Sequence, residues 1–252
     1  MRVKPMWNVD AIVAGYAQGY FLLHDDDTER VQWYTTPGER ALIPLDRRFR
    51  YPRSLQRTLN RQLFVCRIDS AFAAVVRGCA ARAETWISPE LASIYLALHQ
   101  AGWAHSFEVW QGDRLAGGLL GLTLGGVFVG ESMFHAVPNA SKVGLVMLVR
   151  HLQQQRFSLL DAQIMNAHLK RFGAFSIPQA DYLQALAVAL KQPRSLHEPT
   201  LFVEPSSGAP EKKSAIETGE TETNDRSMHQ PCVRSTASCI GEPTNEGDSP
   251  DD

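Results

Sequence analysis

Four polar side chains in the second half of the chain could act on one substrate. The stretch VFVGESMFH is apolar and strand-forming up to its glycine, and the carboxylate of Glu131 follows that predicted strand. The next predicted strand ends in LLDAQ, where Asp161 and Gln163 alternate and therefore share a face. Asn166 opens the short helix that comes next. Because ligands of α/β sheets bind where strands end, two carboxylates and two amides are predicted to line one cleft.

Each of these residues also has an ordinary structural interpretation. Asp161 and Asn166 suit helix caps and turns, and taken alone that interpretation is favoured. Trp86 precedes a capped helix and would simply be packed. Three leucines fit a buried core by periodicity alone, namely Leu119, Leu145 and Leu160.

Metal and disulfide chemistry are not predicted. The histidines include no HExxH or HxH pair; those considered are His99, His105, His135, His151 and His168. The four cysteines include no CxxC pair, so neither a zinc site nor a disulfide framework is expected, and a reducing cytoplasm fits.

A predicted helix beginning at Pro52 carries three arginines along one face: Arg53, Arg57 and Arg61. Leu55 and Leu59 form the opposite, apolar stripe. A solvated basic face and a phosphate-binding face fit this pattern equally well. Six arginines within residues 47–61, with no acid among them, make a polyanion partner worth considering.

The elements that must position these residues follow from hydrophobic periodicity and turn residues. In chain order they are helix 9–20, strands 30–36 and 40–45, the helix from Pro52, strand 62–68, helices 70–80 and 86–103, a three-strand meander over 105–130, a helix from Asn139 or Ser141 to about Gln155, strand 157–162, a short helix closed by Gly173 and helix 181–190. Strands followed by alternating helix and strand predict a mixed α/β sheet.

Composition divides the chain into three parts. Residues 1–39 are predicted to form a small N-terminal subdomain and 40–204 the main domain. Residues 205–252 hold ten of the 27 acidic and four of the 25 basic residues, and this acidic tail is predicted to be disordered. The first 204 residues therefore carry a net positive charge. No run of eighteen apolar residues occurs, so no membrane partner is expected, and no feature suggests more than a monomer.

The motifs WISPE, HSFEVW with LAGGLLG, GESMF followed by NASK, and LDAQIMNAHLKRFGA resemble the leucyl/phenylalanyl-tRNA–protein transferases over residues 40–190. The resemblance implies an acetyltransferase-like catalytic domain that needs no cofactor. It also implies transfer of Leu or Phe, with Met as a further candidate, from aminoacyl-tRNA to the α-amine of proteins that begin with Arg or Lys, which marks them for N-degron degradation.

The same resemblance implies roles for individual residues. Glu131, Asp161, Gln163 and Asn166 match the family's polar active-site positions. For the aminolysis of an ester, Asp161 is the better proton acceptor, directly or through Gln163 or water, and Glu131 would bind a cationic amine. Leu119, Leu145 and Leu160 match an apolar pocket for the aminoacyl side chain, and Trp86 matches a contact to the terminal adenosine. Arg53 and Arg57 match a tRNA-binding helix, whose third basic position falls on Asn60, beside Arg61.

One departure affects the adenosine site, where Leu23 stands in place of an aromatic residue and Trp33 or Tyr34 could substitute. Two other functions stay open at this point. One is a related aminoacyl-tRNA or acyl-CoA transferase with another acceptor, and the other is a nucleic-acid-binding module without catalysis.

Overall fold

The computed structural model describes residues 7–81, residues 85–197 and the backbone of residues 238–240. The helices are α1 Val9–Ala17, α2 Arg53–Asn60, α3 Phe72–Ala80, α4 Pro89–Gln100, α5 Ala140–Gln154, α6 Ala167–Lys170 and α7 Gln179–Leu190. The strands are β1 Phe21–Asp25, β2 Arg30–Thr35, β3 Glu39–Ile43, β4 Val65–Ile68, β5 Ala104–Gln111, β6 Arg114–Leu124, β7 Val127–His135, β8 Leu159–Gln163, β9 Phe175–Pro178 and β10 Ser238–Ile240.

Seven strands form the central sheet in the order β4-β5-β6-β7-β8-β3-β9. The β5-β6-β7 meander is antiparallel, as its turn residues predict. Strand β8 pairs in parallel with β7 and antiparallel with β3, so the predicted mixed α/β sheet is confirmed. The parallel β7–β8 pair, which α5 connects, carries the predicted polar residues.

Helix α4 shows how local sequence sets an element. Pro89 occupies the first helical turn, where its missing N–H costs nothing, and the Ser88 side chain accepts a hydrogen bond from the backbone N–H of Leu91. The apolar stripe of the helix, which includes Tyr95, is buried against the sheet. The cap and stripe predicted from sequence are both confirmed.

Two apolar layers cover the central sheet, and successive residues of β6 show the division. Leu120 packs with one layer, to which α3 and α4 contribute, whereas Leu119 packs with the other, to which α5 contributes. Helix α5 approaches the sheet closely at Gly144, where a Cβ would lie 2.6 Å from Cδ1 of Leu119 and 2.8 Å from Cγ2 of Val109. A larger residue at position 144 would therefore force the helix away from the sheet.

The N-terminal part has its own small sheet, in the order β1-β2-β10. Its buried side chains, among them Tyr16 and Trp33, belong to the same apolar layer as Tyr95 and Tyr182 of the main domain. Of the predicted disordered tail, 205–252, the structure describes only Ser238–Ile240, as a strand antiparallel to β2, and the remainder lies outside the described residues. Among the described helices, none is both long and apolar enough to cross a membrane.

Candidate active site

Glu131 lies inside β7, not after it. The sequence predicts that the strand ends at Gly130, but β7 continues to His135. The register against β6 passes from Gly130 opposite Gly121 to Ser132 opposite Leu120, so Glu131 is the extra residue of a β-bulge. The prediction is wrong because a bulge reverses the alternation of inward and outward residues, which in a sequence looks like the end of a strand.

The bulge turns Glu131 into the apolar layer that also contains Tyr95. Glu131 is 7% exposed, and one carboxylate oxygen, Oε2, accepts a hydrogen bond of 2.8 Å from the Tyr95 hydroxyl. The other oxygen, Oε1, is buried and has no hydrogen-bond partner among the described residues. Burial raises the pKa of Glu131 to about 7, although Tyr95, Tyr16 and Arg40 favour its charged form.

Asp161, on the neighbouring strand β8, is fully buried and has four donors. Arg40 binds it in forked geometry, with Nε 2.9 Å from Oδ1 and Nη2 2.7 Å from Oδ2. The Tyr182 hydroxyl donates to Oδ2 at 2.7 Å, and the backbone N–H of Gln163 donates to Oδ1 at 2.9 Å. A carboxylate has about four lone-pair sites, so these contacts occupy all of them.

Gln163 and Asn166 follow Asp161 in the turn that leaves the sheet. Gln163 ends β8 with a φ of 52°, in the left-handed region that non-glycine residues adopt rarely. The bond from its N–H to Asp161 holds that conformation. The Asn166 side chain accepts from the N–H of Leu169 and caps α6, so the capping role considered for Asn166 is observed.

Four residues of this network were not predicted from sequence: Arg40, Tyr182, Tyr95 and Tyr16. Arg40 is 1% exposed, lies on β3, also donates to the carbonyl of Gly19 at 3.0 Å, and sits over the rings of Phe21 and Tyr182. One signal could have indicated it. An arginine at the start of the apolar strand sequence RALI must either be exposed or have a buried acidic partner.

The three predicted pocket leucines come together. Leu119, Leu145 and Leu160 are each at most 5% exposed and belong to one apolar cluster. Met133 and Met147 are partly buried against the same cluster. This packing brings together residues from β6, α5 and β8 in the layer that α5 covers, whereas Tyr95, the hydrogen-bond partner of Glu131, belongs to the other layer.

Trp86 does not line the cavity that its neighbours in the sequence border. A cavity of about 510 Å³ is lined by its neighbours Thr85 and Ile87, together with His24. Trp86 is partly buried, and its carbonyl accepts from the N–H of His24 at 3.3 Å. Of the two aromatic substitutes considered for Leu23, Trp33 is 4% exposed and packs against Gly15, so it is part of the core.

Helix α2 presents its arginines to solvent. Arg53 and Arg57 are exposed on the helix, and Arg61 is exposed at its C-cap, whereas Leu55 is buried as predicted. Within the described residues, no carboxylate forms an ion pair with any of the three arginines; nearby Arg48 differs because it pairs with Asp46 at 2.7 Å. The three charges are thus available for an anionic partner.

Comparison with known proteins identifies the family. The model of the leucyl/phenylalanyl-tRNA protein transferases matches residues 42–187, and that of their N-terminal domain matches residues 8–37. The leucyl/phenylalanyl-tRNA–protein transferase of Synechococcus sp. (strain JA-3-3Ab) is 58% identical over 186 residues, which is 74% of this chain and 96% of that protein. The transferase of Synechocystis sp. (strain ATCC 27184 / PCC 6803 / Kazusa) is 55% identical over 183 residues, 73% of this chain and 91% of that protein.

The two matched regions together include most residues of the site. Glu131 and Asp161 fall within the main match and Tyr16 within the N-terminal match, whereas Arg40 lies between the two. The resemblance inferred from the sequence motifs is confirmed, and the chain belongs to the leucyl/phenylalanyl-tRNA–protein transferase family, whose members are aminoacyltransferases.

Proposed function

We propose that this chain transfers Leu or Phe, and Met as a further donor, from aminoacyl-tRNA to the α-amine of proteins that begin with Arg or Lys. The transfer would mark those proteins for degradation. Family membership supports the reaction class. The observation that carries the proposal is the buried Oε1 of Glu131, an acceptor without a partner among the described residues, beside the saturated Asp161–Arg40 pair.

The reaction is the aminolysis of an ester. The acceptor nitrogen attacks the aminoacyl carbonyl carbon and forms an amide, while the ester C–O bond breaks and the ribose hydroxyl leaves with a proton. The ester is already activated, so holding the two reactants in line accounts for much of the rate. A group must also take a proton from the attacking amine.

Glu131 suits the binding of a cationic amine. A buried carboxylate oxygen without a donor is costly, and an ammonium group seated against Oε1 would supply the missing hydrogen bond and charge. The pKa of about 7 also lies close to the range in which a general base works best. We therefore assign the proton-accepting role to Glu131, and not to Asp161, for which the chemistry of the predicted residues argued at the level of the sequence.

Asp161 acts on this proposal as a positioning residue. Its four lone-pair sites are occupied by Arg40, Tyr182 and Gln163, so a proton from the substrate finds no free site. Its bond to the N–H of Gln163 fixes the left-handed turn from which the Gln163 amide would orient the amine or donate to the carbonyl oxygen. A neutral amide is a poor base but a good orienting group.

The leucine cluster suits the donor side chain. Leu119, Leu145 and Leu160 form a buried apolar cluster, and a guest would enter it by displacing the unbranched, adaptable Met133 and Met147 at its border. One methylene in such a pocket changes discrimination by about 1–3 kcal/mol, so transfer of related apolar residues is expected at a lower rate. The exposed arginines of α2 would bind the tRNA backbone, and Trp86, which adjoins in sequence two residues that line a cavity, would contact the terminal adenosine.

The test is the transfer of labelled Leu or Phe from charged tRNA to a model protein that begins with Arg, compared with the same protein beginning with Gly. We expect transfer to the first protein only. Asp161→Ala should lose rate while its affinity for charged tRNA stays unchanged, because Asp161 orders the turn and touches no phosphate. Binding of charged tRNA without transfer to either protein would refute the proposed transfer and favour a nucleic-acid-binding module, and an Asp161→Ala variant with full transfer activity would refute the positioning role of Asp161.

A further inference from the structure

A second cluster of polar side chains lies away from the proposed active site. Asp69 follows β4, His105 is the second residue of β5, and His197 follows α7. His105 Nδ1 lies 2.7 Å from Asp69 Oδ2, and His197 Nε2 lies 2.9 Å from the same oxygen. The three potential ligand atoms all lie within 4.8 Å of one another. Two imidazoles and one carboxylate therefore converge on one point.

The surroundings of the cluster orient its ligand atoms. In the structure Nδ1 of His105 donates to Asp69, and the Thr123 hydroxyl, 3.0 Å from Nε2, can accept the ring proton on that side when a metal takes the Nδ1 lone pair. Oδ1 of Asp69 accepts the backbone N–H of Ser106 at 2.8 Å, which turns Oδ2 toward both imidazoles. Hydrogen bonds of this kind, from the far side of each ligand, accompany metal-binding histidines and carboxylates.

Backbone contacts bring His197 to this place. The preceding residue, Leu196, is 3% exposed, and its carbonyl lies 2.8 Å from Nε2 of the buried His151. Asp69 has a φ of 55°, so its turn also holds a rarely populated backbone conformation. A fourth residue, His99, is close to Asp69 but is not counted as a ligand, because its Nδ1 lies 2.8 Å from the carbonyl of Ala104 and must donate there.

A hydrogen-bonded pair of histidines on one carboxylate is the simpler alternative. The observed separations of 2.7 and 2.9 Å are shorter than the spacing of roughly 3.3 Å between ligand atoms that follows from tetrahedral zinc bonds of about 2.0–2.2 Å. Binding a metal thus requires the three groups to separate by about half an ångström. The side chain of His197 is 53% exposed, so it can make this movement.

We propose that Asp69, His105 and His197 form a zinc site. Two imidazole nitrogens and a carboxylate oxygen are a common zinc donor set, and the exposed side of His197 leaves the fourth position to water. The metal would fasten residues 191–197 to the β4–β5 edge of the central sheet. This site differs from the amine-binding site at Glu131, and it joins residues separated by 36 and 128 positions in the sequence, which no local motif can reveal.

The experiment uses the full chain without an affinity tag, stripped with a chelator and then titrated with Zn²⁺ against a chromophoric competitor. We expect one equivalent to bind with a micromolar or lower Kd and to raise Tm. His197→Ala and Asp69→Asn should each weaken that binding at least 100-fold, whereas His135→Ala, which alters an exposed histidine outside the cluster, should not. Bound Co²⁺ should show the strong visible absorption of a tetrahedral site in the wild type only.

Two results would overturn the proposal. If the wild type does not bind Zn²⁺ even against a competitor whose affinity for the metal is 100-fold lower, Asp69 is only the acceptor of two hydrogen bonds. Binding of one equivalent that survives in both His197→Ala and Asp69→Asn would place the metal elsewhere in the chain.

Discussion

Replacing Glu131 by Gln should stabilise the folded protein at alkaline pH and not at acid pH. Burial raises the pKa of Glu131 from 4.5 to about 7. Between these values the folded chain binds more protons than the unfolded chain, so the contribution of this residue to stability falls as pH rises from about 4.5 to about 7. The neutral amide of the variant carries no such dependence.

The size of the effect follows from the same values. A pKa difference of this extent corresponds to about 3 kcal/mol, which is fully lost above pH 7 and fully present below pH 4.5. For a chain with a total stability of about 5–15 kcal/mol, this is a large fraction. With a urea dependence of about 2 kcal/mol per molar, the midpoint of unfolding at pH 8 should rise by 1 M or somewhat more.

The assay is urea unfolding of both proteins at several values between pH 5 and pH 8, followed by tryptophan fluorescence. The difference between variant and wild type is the readout, because all other titrating groups are common to both. Glu39→Gln serves as the matched control, since Glu39 is exposed and undergoes the same change of charge. A difference that is constant with pH, or a variant less stable than the wild type at pH 8, would refute the assignment of a buried, poorly compensated charge to Glu131.

Three further predictions concern tRNA, the base and the pocket. In filter-binding assays, the double variant Arg53→Glu, Arg57→Glu should weaken tRNA binding and reduce the slope of log affinity against log salt by about two, one for each lost phosphate contact. The control Arg77→Glu, at an exposed arginine outside α2, should leave affinity and slope unchanged. Equal losses of affinity in the control and the double variant would exclude a specific role of α2 in binding tRNA. Tyr95→Phe removes a hydrogen bond that lowers the pKa of Glu131. The acid limb of the plot of kcat/KM against pH should therefore move above pH 7, and an unchanged limb would exclude Glu131 as the general base. Leu119→Ala should lower the free energy of unfolding by about 2–5 kcal/mol and lower the preference for Leu over smaller donor residues in competition assays. A loss of stability with an unchanged donor preference would show that Leu119 does not line the donor pocket.

Elements with strong local determinants were predictable from sequence. The Ser88 cap and apolar stripe fixed α4, and the meander followed from its turns. Strands β1 and β9 were not predicted, because they span only five and four residues and alternate weakly. Strand β7 was cut short, because the bulge at Glu131 reverses the alternation on which the prediction rests.

Only some residues of the site could be predicted from the sequence, for a related reason. Glu131, Asp161 and Gln163 lie on the two parallel strands that α5 connects, so their proximity follows from local pattern and topology. Arg40 reaches Asp161 across 121 positions in the sequence, and Tyr95 reaches Glu131 across 36. Such partners depend on the order of strands in the folded sheet, with β3 inserted between β8 and β9, and this order cannot be inferred from periodicity.

The two buried acids of the site differ in what compensates their burial, and this difference is what separates their proposed functions. Both lose solvation in the same apolar surroundings, since they are 7% and 0% exposed. Asp161 has four donors, two of them from the paired Arg40, which make it a fixed part of the scaffold. Glu131 accepts from Tyr95 at 2.8 Å, and Tyr16 also favours its charged form, but Oε1 has no hydrogen-bond partner among the described residues, so part of its desolvation remains uncompensated. The uncompensated desolvation of Glu131 lowers the stability of the folded protein. A cationic substrate that supplies the missing hydrogen bond and charge would for that reason bind more tightly. We therefore propose that the carboxylate of Glu131, at the bulge of an apolar strand, forms an ion pair with a cationic group of the substrate.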